Sequence, residues 1–316
     1  MDAEHRSPAA GEIGLSLGAR LKGLLSCVRC HYDLRGLSVR GVCPECGTPI
    51  RATLLAVVDP HAQELRPLYR PRLTSAGIVL WAVGALIAVG VIWWVRTVML
   101  LAGNARAPDP AWIQHTGLIA LGGMVLSGLG AAALVRPHDR VPARWQWAAL
   151  LGVFLYIPLI AVHWHLLVHL DSRIPSPYPP GRIGSLLLER TLARLLASAL
   201  LAAIIVLLRP TARMLAARSL VMRLGRADRQ TMFALVSTIG LWSLGDLLIL
   251  LAQLRPGSAE SVLLTFGMMF IAAGSVLFTL GLVWLLVDVV RLCPILIEPA
   301  PAVSDVMEFD DGEGSA

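Results

Sequence analysis

The amino-acid sequence predicts an all-α polytopic membrane protein with a small four-cysteine module near its N-terminal end. The first observation is composition, because 56% of the 316 residues are hydrophobic and only 15% are charged, whereas soluble domains carry about 25% charged residues. The second is that the apolar residues are gathered in long runs. The third is that four of the five cysteines lie within twenty residues of one another. The excess apolar surface is expected to face lipid.

Six apolar stretches are each near the ~20 residues that a helix needs to cross ~30 Å of hydrocarbon. They lack the alternating pattern of barrel strands, and a lipid-exposed backbone must satisfy its hydrogen bonds within its own segment, so we predict helices. The stretches cover residues 75–95, 112–135, 147–170, 186–208, 231–254 and 262–287. Small residues recur every fourth position at Gly84 and Ala88, and again at Gly123, Ser127 and Ala131. This spacing predicts close packing of the first two helices.

The arginines predict how these spans are oriented. Arginine supplies nearly all of the positive charge, because Lys22 is the only lysine. With a cytosolic N-terminus, thirteen arginines flank the spans on the cytosolic side and five on the other side, which agrees with the positive-inside rule. Six of the thirteen lie in the segment Arg209–Arg229. We predict that this segment is an interfacial helix that binds anionic lipids, with an ordinary positive-inside loop as the alternative.

The four clustered cysteines form two C-x-x-C pairs, Cys27 with Cys30 and Cys43 with Cys46, separated by twelve residues. Each pair can present two thiolates to one tetrahedral ion, so the spacing predicts a closed metal site and not disulfides. Gly47 directly follows the second pair, where a permissive residue suits a tight turn. Zinc is the expected ion, because a closed thiolate site is its ordinary structural environment, and iron is the alternative.

The residues Cys27, Cys30, His31 and Tyr32, followed by Cys43-Pro-Glu-Cys46-Gly, resemble the zinc-ribbon modules that head many bacterial multi-spanning membrane proteins. The resemblance covers residues 25–50 and leaves the membrane part unassigned. The same spacing is similar to short rubredoxin-like modules, which hold iron, but His31 stands where that family prefers glycine. The zinc-ribbon resemblance implies a protein of the bacterial inner membrane. With an even number of spans, both termini are then cytosolic.

These patterns divide the chain into five predicted segments. They are a polar N-terminal segment (1–26), the zinc ribbon (27–50), a linker (51–74), the six-helix transmembrane domain (75–290) and an acidic disordered tail (291–316). Residues 298–316 carry six acidic side chains and no basic one, a pattern typical of disordered segments. Within the ribbon we expect a small apolar cluster of Tyr32, Leu34, Leu37 and Val42.

A thiolate site of this kind folds a segment that is too short to bury a core of its own. We expect it also to offer a docking surface to a cytosolic protein, which makes a membrane scaffold or regulatory protein the leading hypothesis. Nucleic acid is not expected as a partner, because the ribbon's arginines lack an aromatic stacking surface. The sequence shows no nucleophile elbow, phosphate loop or paired-carboxylate signature, which weighs against an enzyme without deciding the question.

Ionisable residues within the predicted spans form a candidate intramembrane polar site. Its members are His163, His165, His169, Asp246 and Arg194. An Asp near the centre of a span costs ~2.5–3.5 kcal/mol on insertion scales, so Asp246 needs a partner, for which Arg194 or a histidine is the candidate. The alternatives are a metal or haem site at His165 and His169, a proton relay through Asp246, an anion site at Arg190 and Arg194, or an interfacial belt without a site.

The cysteine site and the intramembrane residues suggest two alternative functions. A membrane redox protein would hold iron in the cysteine site, with haem at the histidines as an additional cofactor. Asp246 would instead serve a small-solute or ion transporter.

Overall fold

The computed structural model describes residues 20–57, 68–102, 109–138, 141–173, 185–218, 228–254, 260–297 and 306–308. The chain divides into two compact units. The smaller unit contains the cysteine module together with residues from the C-terminal end, and the larger unit contains residues 68–298. The long apolar helices all belong to the larger unit.

The smaller unit combines short backbone bridges with one helix. Its regular elements are strand β1 (Arg20–Leu21), helix α1 (Ile50–Val57) and strand β2 (Met307–Glu308). Strands β1 and β2 pair antiparallel, with Arg20 opposite Glu308 and Leu21 opposite Met307. Residues from both ends of the chain therefore belong to one folded unit.

This unit extends beyond the segment predicted for the ribbon. Strand β1 lies in the predicted polar segment, α1 occupies the start of the predicted linker, and β2 lies in the predicted tail. Side chains from the same three segments contribute to the core of the unit, which the cysteine spacing does not reveal. Within those predicted segments, residues 1–19, 58–67, 298–305 and 309–316 lie outside the described residues.

Within its described residues, the larger unit contains six helices that are long and apolar enough to cross a membrane, as predicted. The elements are α2 (Pro71–Ala102), α3 (Pro110–Ala131) with a 3₁₀ turn (Ala132–Leu134), α4 (Ala143–Phe154), α5 (Tyr156–Trp164), a π-helical stretch (His165–Leu170), α6 (Asp171–Arg173), α7 (Ser185–Ala216), α8 (Asp228–Leu254) and α9 (Glu260–Ile297). Elements α4 to α6 together form the third span. The last span continues to Ile297, so the first residues of the predicted tail are helical.

The third span is interrupted where proline removes a backbone donor. Helix α4 ends at Phe154, and α5 begins at Tyr156, just before Pro158. Pro158 has no N–H to donate to the carbonyl of Phe154, which explains the break. Further along, His165 and His169 lie in the π-helical stretch, a wider helical form that is frequent at functional sites.

Small residues let the first two spans approach closely. A Cβ atom placed on Gly84 would lie 2.5 Å from the backbone nitrogen of Ser127, and one placed on Gly123 would lie 2.8 Å from that of Ala88. Real side chains do not tolerate such distances, so the backbones meet only because these positions lack side chains. The close packing predicted from the small-residue spacing is confirmed for this helix pair.

A buried hydrogen-bond triad joins the first three spans. The indole of Trp81 donates to the hydroxyl of Tyr156 at 2.9 Å, and the Ser127 hydroxyl lies 3.0 Å from the same oxygen. Ser127 also donates to the carbonyl of Trp81 at 2.9 Å. Polar contacts of this type hold helices together where lipid removes the hydrophobic drive for association.

Replacing Gly84 with alanine should destabilise the helix pair, because the new methyl group meets the backbone of α3. We expect a cost of about 1–3 kcal/mol from overpacking. Gly90→Ala is the matched control in the same helix, because a Cβ atom placed there has nothing within 4 Å and alanine is the better helix former. Thermal unfolding of the purified protein in mild detergent measures both. Equal melting temperatures for the two variants would contradict the close contact.

Candidate functional site

The four cysteines of the module converge on one point. Their sulfur atoms all lie within 4.8 Å of one another. The Sγ atoms of Cys27 and Cys46 are 3.5 Å apart, as are those of Cys30 and Cys43. All four are free thiols, with Cys27 and Cys43 buried and the other two nearer the surface. The arrangement can hold one metal ion, as the spacing predicted.

Two equivalent turns present the four sulfurs. In the first turn, the N–H of His31 donates to the carbonyl of Cys27, and in the second, the N–H of Gly47 donates to the carbonyl of Cys43, both at 2.9 Å. The residue after each pair adopts a left-handed backbone, with φ of 61° at His31 and 68° at Gly47. Glycine takes this conformation without strain. His31 departs from the glycine of rubredoxin-like modules, yet its backbone takes the shape that glycine would take.

Hydrogen bonds favour the thiolate form at two of the sulfurs. Burial raises the pKa of Cys27, but hydrogen bonds from the backbone of Arg29 and Cys30 outweigh it and leave the pKa below the ordinary value. The hydroxyl and backbone of Thr48 lower the pKa of Cys46 to about 6. Thr48 Oγ1 lies 3.1 Å from the Cys46 sulfur. Donors directed at sulfur are suited to thiolates that bind a cation.

At Cys30 the surroundings oppose ionisation of the thiol. A backbone hydrogen bond from Tyr32 lowers the pKa of Cys30, but burial and the three neighbouring sulfurs raise it to about 12. Four thiolates at these distances repel each other in the absence of a cation. A bound cation reverses this balance, because a coordinated thiol loses its proton. The cluster is therefore chemically suited to hold a metal ion.

The core of the module draws on residues from outside the cysteine segment. Buried side chains surround Cys27 and Cys43. They are Leu21, Leu25, Leu34, Val39, Ile50, Leu54 and Val306. Val306 is 1% exposed, and its carbonyl accepts hydrogen bonds from the N–H groups of Lys22 at 3.0 Å and Gly23 at 3.4 Å. The C-terminal residues thus complete the module's core.

Only two of the four side chains predicted for the apolar cluster of the module belong to its core. Leu34 is buried and Leu37 packs against the core, but Tyr32 is 40% exposed and Val42 is 57% exposed. Each of these two exposed residues lies within two positions of a cysteine, next to one of the two cysteine turns, which together we call the metal end of the module. The core places are filled instead by side chains such as Leu21 and Ile50.

Within the membrane-type helices, Asp246 pairs with Arg194, one of the two kinds of partner that the sequence left open. The guanidinium of Arg194 in α7 lies 3.1 Å from the Asp246 carboxylate in α8, and the Asp246 side chain is 2% exposed. Arg96 of α2 and Arg190 of α7 also attract this carboxylate. The ion pair joins the fourth and fifth spans.

A second buried ion pair lies between the third and fourth spans. Arg190 Nη2 is 2.8 Å from Asp171 Oδ1, and both side chains are almost fully buried. The sequence does not predict this pairing, because the predicted third stretch ends at residue 170 and leaves Asp171 beyond it. The helical stretch continues to Arg173, which carries Asp171 into the bundle opposite α7.

The three histidines of the third span do not form one site with Asp246 in any described contact. His165 bonds to Glu189 at 2.8 Å, and its ring centre lies 5.9 Å from that of His169. His163 bonds to the carbonyl of Leu159 in its own helix. Among the described residues, the four cysteines are the one group of three or more ligating side chains with metal-binding geometry.

The structure describes the arginine-rich segment Arg209–Arg229 only in part. Arg209 and Arg213 continue helix α7, and the Arg209 guanidinium lies 4.1 Å from the centre of the Phe233 ring. Residues 219–227 lie outside the described part of the chain. Lipid binding by the segment Arg209–Arg229 stays a prediction.

No protein-family model, curated protein or solved structure matches the chain. The class of protein therefore rests on the residues and the geometry of the chain alone. It is a membrane-type helical protein with six candidate spans and a four-cysteine cluster that can hold a metal ion.

Breaking the Arg194–Asp246 pair should destabilise the bundle. Arg194→Gln leaves a buried carboxylate without its charged partner, and we expect a loss of about 3–5 kcal/mol. Glu189→Gln is the control, because the His165–Glu189 pair is half exposed and such pairs contribute about 1 kcal/mol or less. Thermal unfolding in detergent measures both variants, and Arg194→Gln combined with Asp246→Asn should recover part of the loss. Equal effects of the two single variants would refute the buried pair.

Proposed function

We propose that the chain is an integral membrane protein whose four cysteines form a structural zinc site, and that this site folds a cytosolic docking module. The observation that carries the proposal is the convergence of four thiol sulfurs within 4.8 Å. A tetrahedral zinc ion with Zn–S bonds of about 2.3 Å requires sulfurs that are about 3.8 Å apart. The two 3.5 Å sulfur pairs agree with that geometry. Four protein ligands leave no open position for catalysis.

Support for a structural role comes from the size of the module. Among the described residues, its core holds nine buried side chains, and a core of that size contributes little stability from burial alone. A metal ion that binds the folded form contributes its binding energy to folding. Zinc supplies this binding energy and has no redox chemistry of its own. Iron is the alternative, and no described contact favours it.

The pairing of β1 with β2 supports a single compartment for both ends of the chain. β1 precedes the first span and β2 follows the last. Two paired strands must lie on the same side of a membrane, which requires an even number of crossings between them. Six spans satisfy that condition, and the arginine distribution makes the shared side cytosolic. A bacterial inner membrane location is the corresponding proposal.

Docking is supported by the apolar side chains at the metal end of the module. Tyr32 and Val42 are exposed, although a small folded unit has few apolar groups to leave outside its core. Five exposed arginines belong to the same unit. They are Arg20, Arg29, Arg35, Arg40 and Arg51. Exposed apolar side chains on a basic module suit a protein segment that combines apolar and acidic side chains.

The transporter alternative gains no specific support. Asp246 is its central residue, but Arg194 at 3.1 Å accounts for the buried charge without a transported ion. The pair is consistent with a structural link between two helices. We therefore propose one function and not two.

Elemental analysis of the purified full-length protein should find one zinc ion per chain and no visible absorbance. Replacing Cys43 and Cys46 with serine removes two ligands, so the metal should be lost while membrane insertion is retained. Cys293→Ser is the control, because that cysteine belongs to the helical unit and should leave the zinc content unchanged. Stoichiometric iron would overturn the choice of metal, and absence of any metal would overturn the site.

Replacing Tyr32 and Val42 with serine should weaken partner recovery while zinc content stays at one per chain. Loss of one large apolar contact costs about 1.5–3 kcal/mol, or roughly tenfold to a hundredfold in affinity. Leu24→Ser is the matched control, because Leu24 is also exposed in the same unit but lies farther from the ligands in sequence. Quantitative cross-linking from intact cells, compared across the variants, gives the measurement. Equal recovery from all variants would refute docking at this end.

A further inference from the structure

A groove runs along the outside of the helical unit where the first and last spans meet. Its volume is about 410 Å³. Helix α2 lines it with Arg72, Ser75, Ala76, Val79 and Val83, and α9 contributes Cys293. The groove is therefore formed by the beginning of one span and the end of another, which lie at the same end of a six-helix bundle.

The lining changes from polar to apolar along the groove. Arg72 lies at the start of α2, and Ser75 follows one turn later. The wall continues through Ala76 and Val79 to Val83. Arg72 and Val83 are eleven residues apart, which at ~1.5 Å per residue is roughly 16 Å. One leaflet of hydrocarbon is half of ~30 Å, so the groove matches the depth of a single leaflet.

At the polar end of the groove, a positive charge and a hydroxyl group are available to bind an anion. Among the described residues, no carboxylate forms an ion pair with Arg72, and the first turn of α2 contains no acidic side chain. The amino end of a helix carries partial positive charge. The Ser75 side chain is 4% exposed, yet its hydroxyl has no hydrogen-bond partner within the described chain. A buried hydroxyl of this kind normally has a partner.

We propose that this groove binds one anionic phospholipid from the leaflet at which α2 begins. The phosphate group lies at Arg72 and accepts a hydrogen bond from the Ser75 hydroxyl, and an acyl chain lies along Ala76, Val79 and Val83. The positive charge and the unpartnered hydroxyl match the phosphate group of such a lipid. The apolar wall, which is as long as one leaflet is deep, matches its acyl chain. No residue of the cysteine module takes part, so the success or failure of this site is independent of the zinc proposal.

Native mass spectrometry tests the site on the full-length protein. The protein is reconstituted in vesicles of equimolar phosphatidylglycerol and phosphatidylethanolamine, extracted in mild detergent, and examined for retained lipid. The wild-type protein should retain one phosphatidylglycerol in preference to phosphatidylethanolamine. Arg72→Gln should reduce that preference about fivefold, the equivalent of ~1 kcal/mol for one basic side chain at a membrane surface. Ser75→Ala should reduce the amount of phosphatidylglycerol retained, because the phosphate loses a donor.

Matched variants distinguish lipid binding in the groove from general effects of changing the protein surface. Arg70 is exposed and outside the groove, so Arg70→Gln should leave the preference unchanged. Ala76→Phe fills the groove and should remove retention of both lipids, whereas Ala273→Phe, on an exposed face of α9, should not. Equal retention by wild type, Arg72→Gln and Ala76→Phe would overturn the proposal. A hydroxylamine-labile acyl adduct on Cys293 in place of free lipid would also overturn it.

Discussion

The absence of water from the bilayer core is the constraint on which the larger unit depends. Each backbone N–H and C=O in that environment must find its partner within the chain, and helices satisfy this requirement segment by segment. The same absence of water removes the hydrophobic drive between helices, so contact has to come from shape and polar bonds. Contact between the helices is provided in three different ways. They are the close approach of Gly84 to Ser127, the Trp81–Tyr156 hydrogen bond and the Arg194–Asp246 ion pair.

The helices and the cysteine cluster could be predicted because each rests on a local signal. Apolar length alone identifies a span, and the spacing of Cys27 to Cys46 alone identifies a converging set of thiols. The partner of Asp246 was predictable too, because a buried carboxylate has few alternatives to an arginine on a neighbouring helix. The pairing of Asp171 with Arg190 was not, because it depends on how far the third helix continues beyond its most apolar part.

The core of the module was predicted only in part, for a different reason. Tyr32 and Val42 are apolar and close to the cysteines, so the sequence pattern predicts them inside. In the structure, the carbonyl of Tyr32 accepts a hydrogen bond from the N–H of Cys27 within the turn, and its side chain is exposed. The interior is occupied by Leu21, Ile50 and Val306, and no local pattern connects residues that are almost three hundred positions apart.

That long-range pairing has a consequence for how the protein is made. Translation produces the cysteines before any membrane helix and Val306 after all of them. The cysteine module therefore lacks one strand and one buried side chain until residues 306–308 have left the ribosome. On the proposed topology, its completion requires that β2 reach the compartment where β1 already lies, and an intact module then marks a chain whose helices have crossed an even number of times.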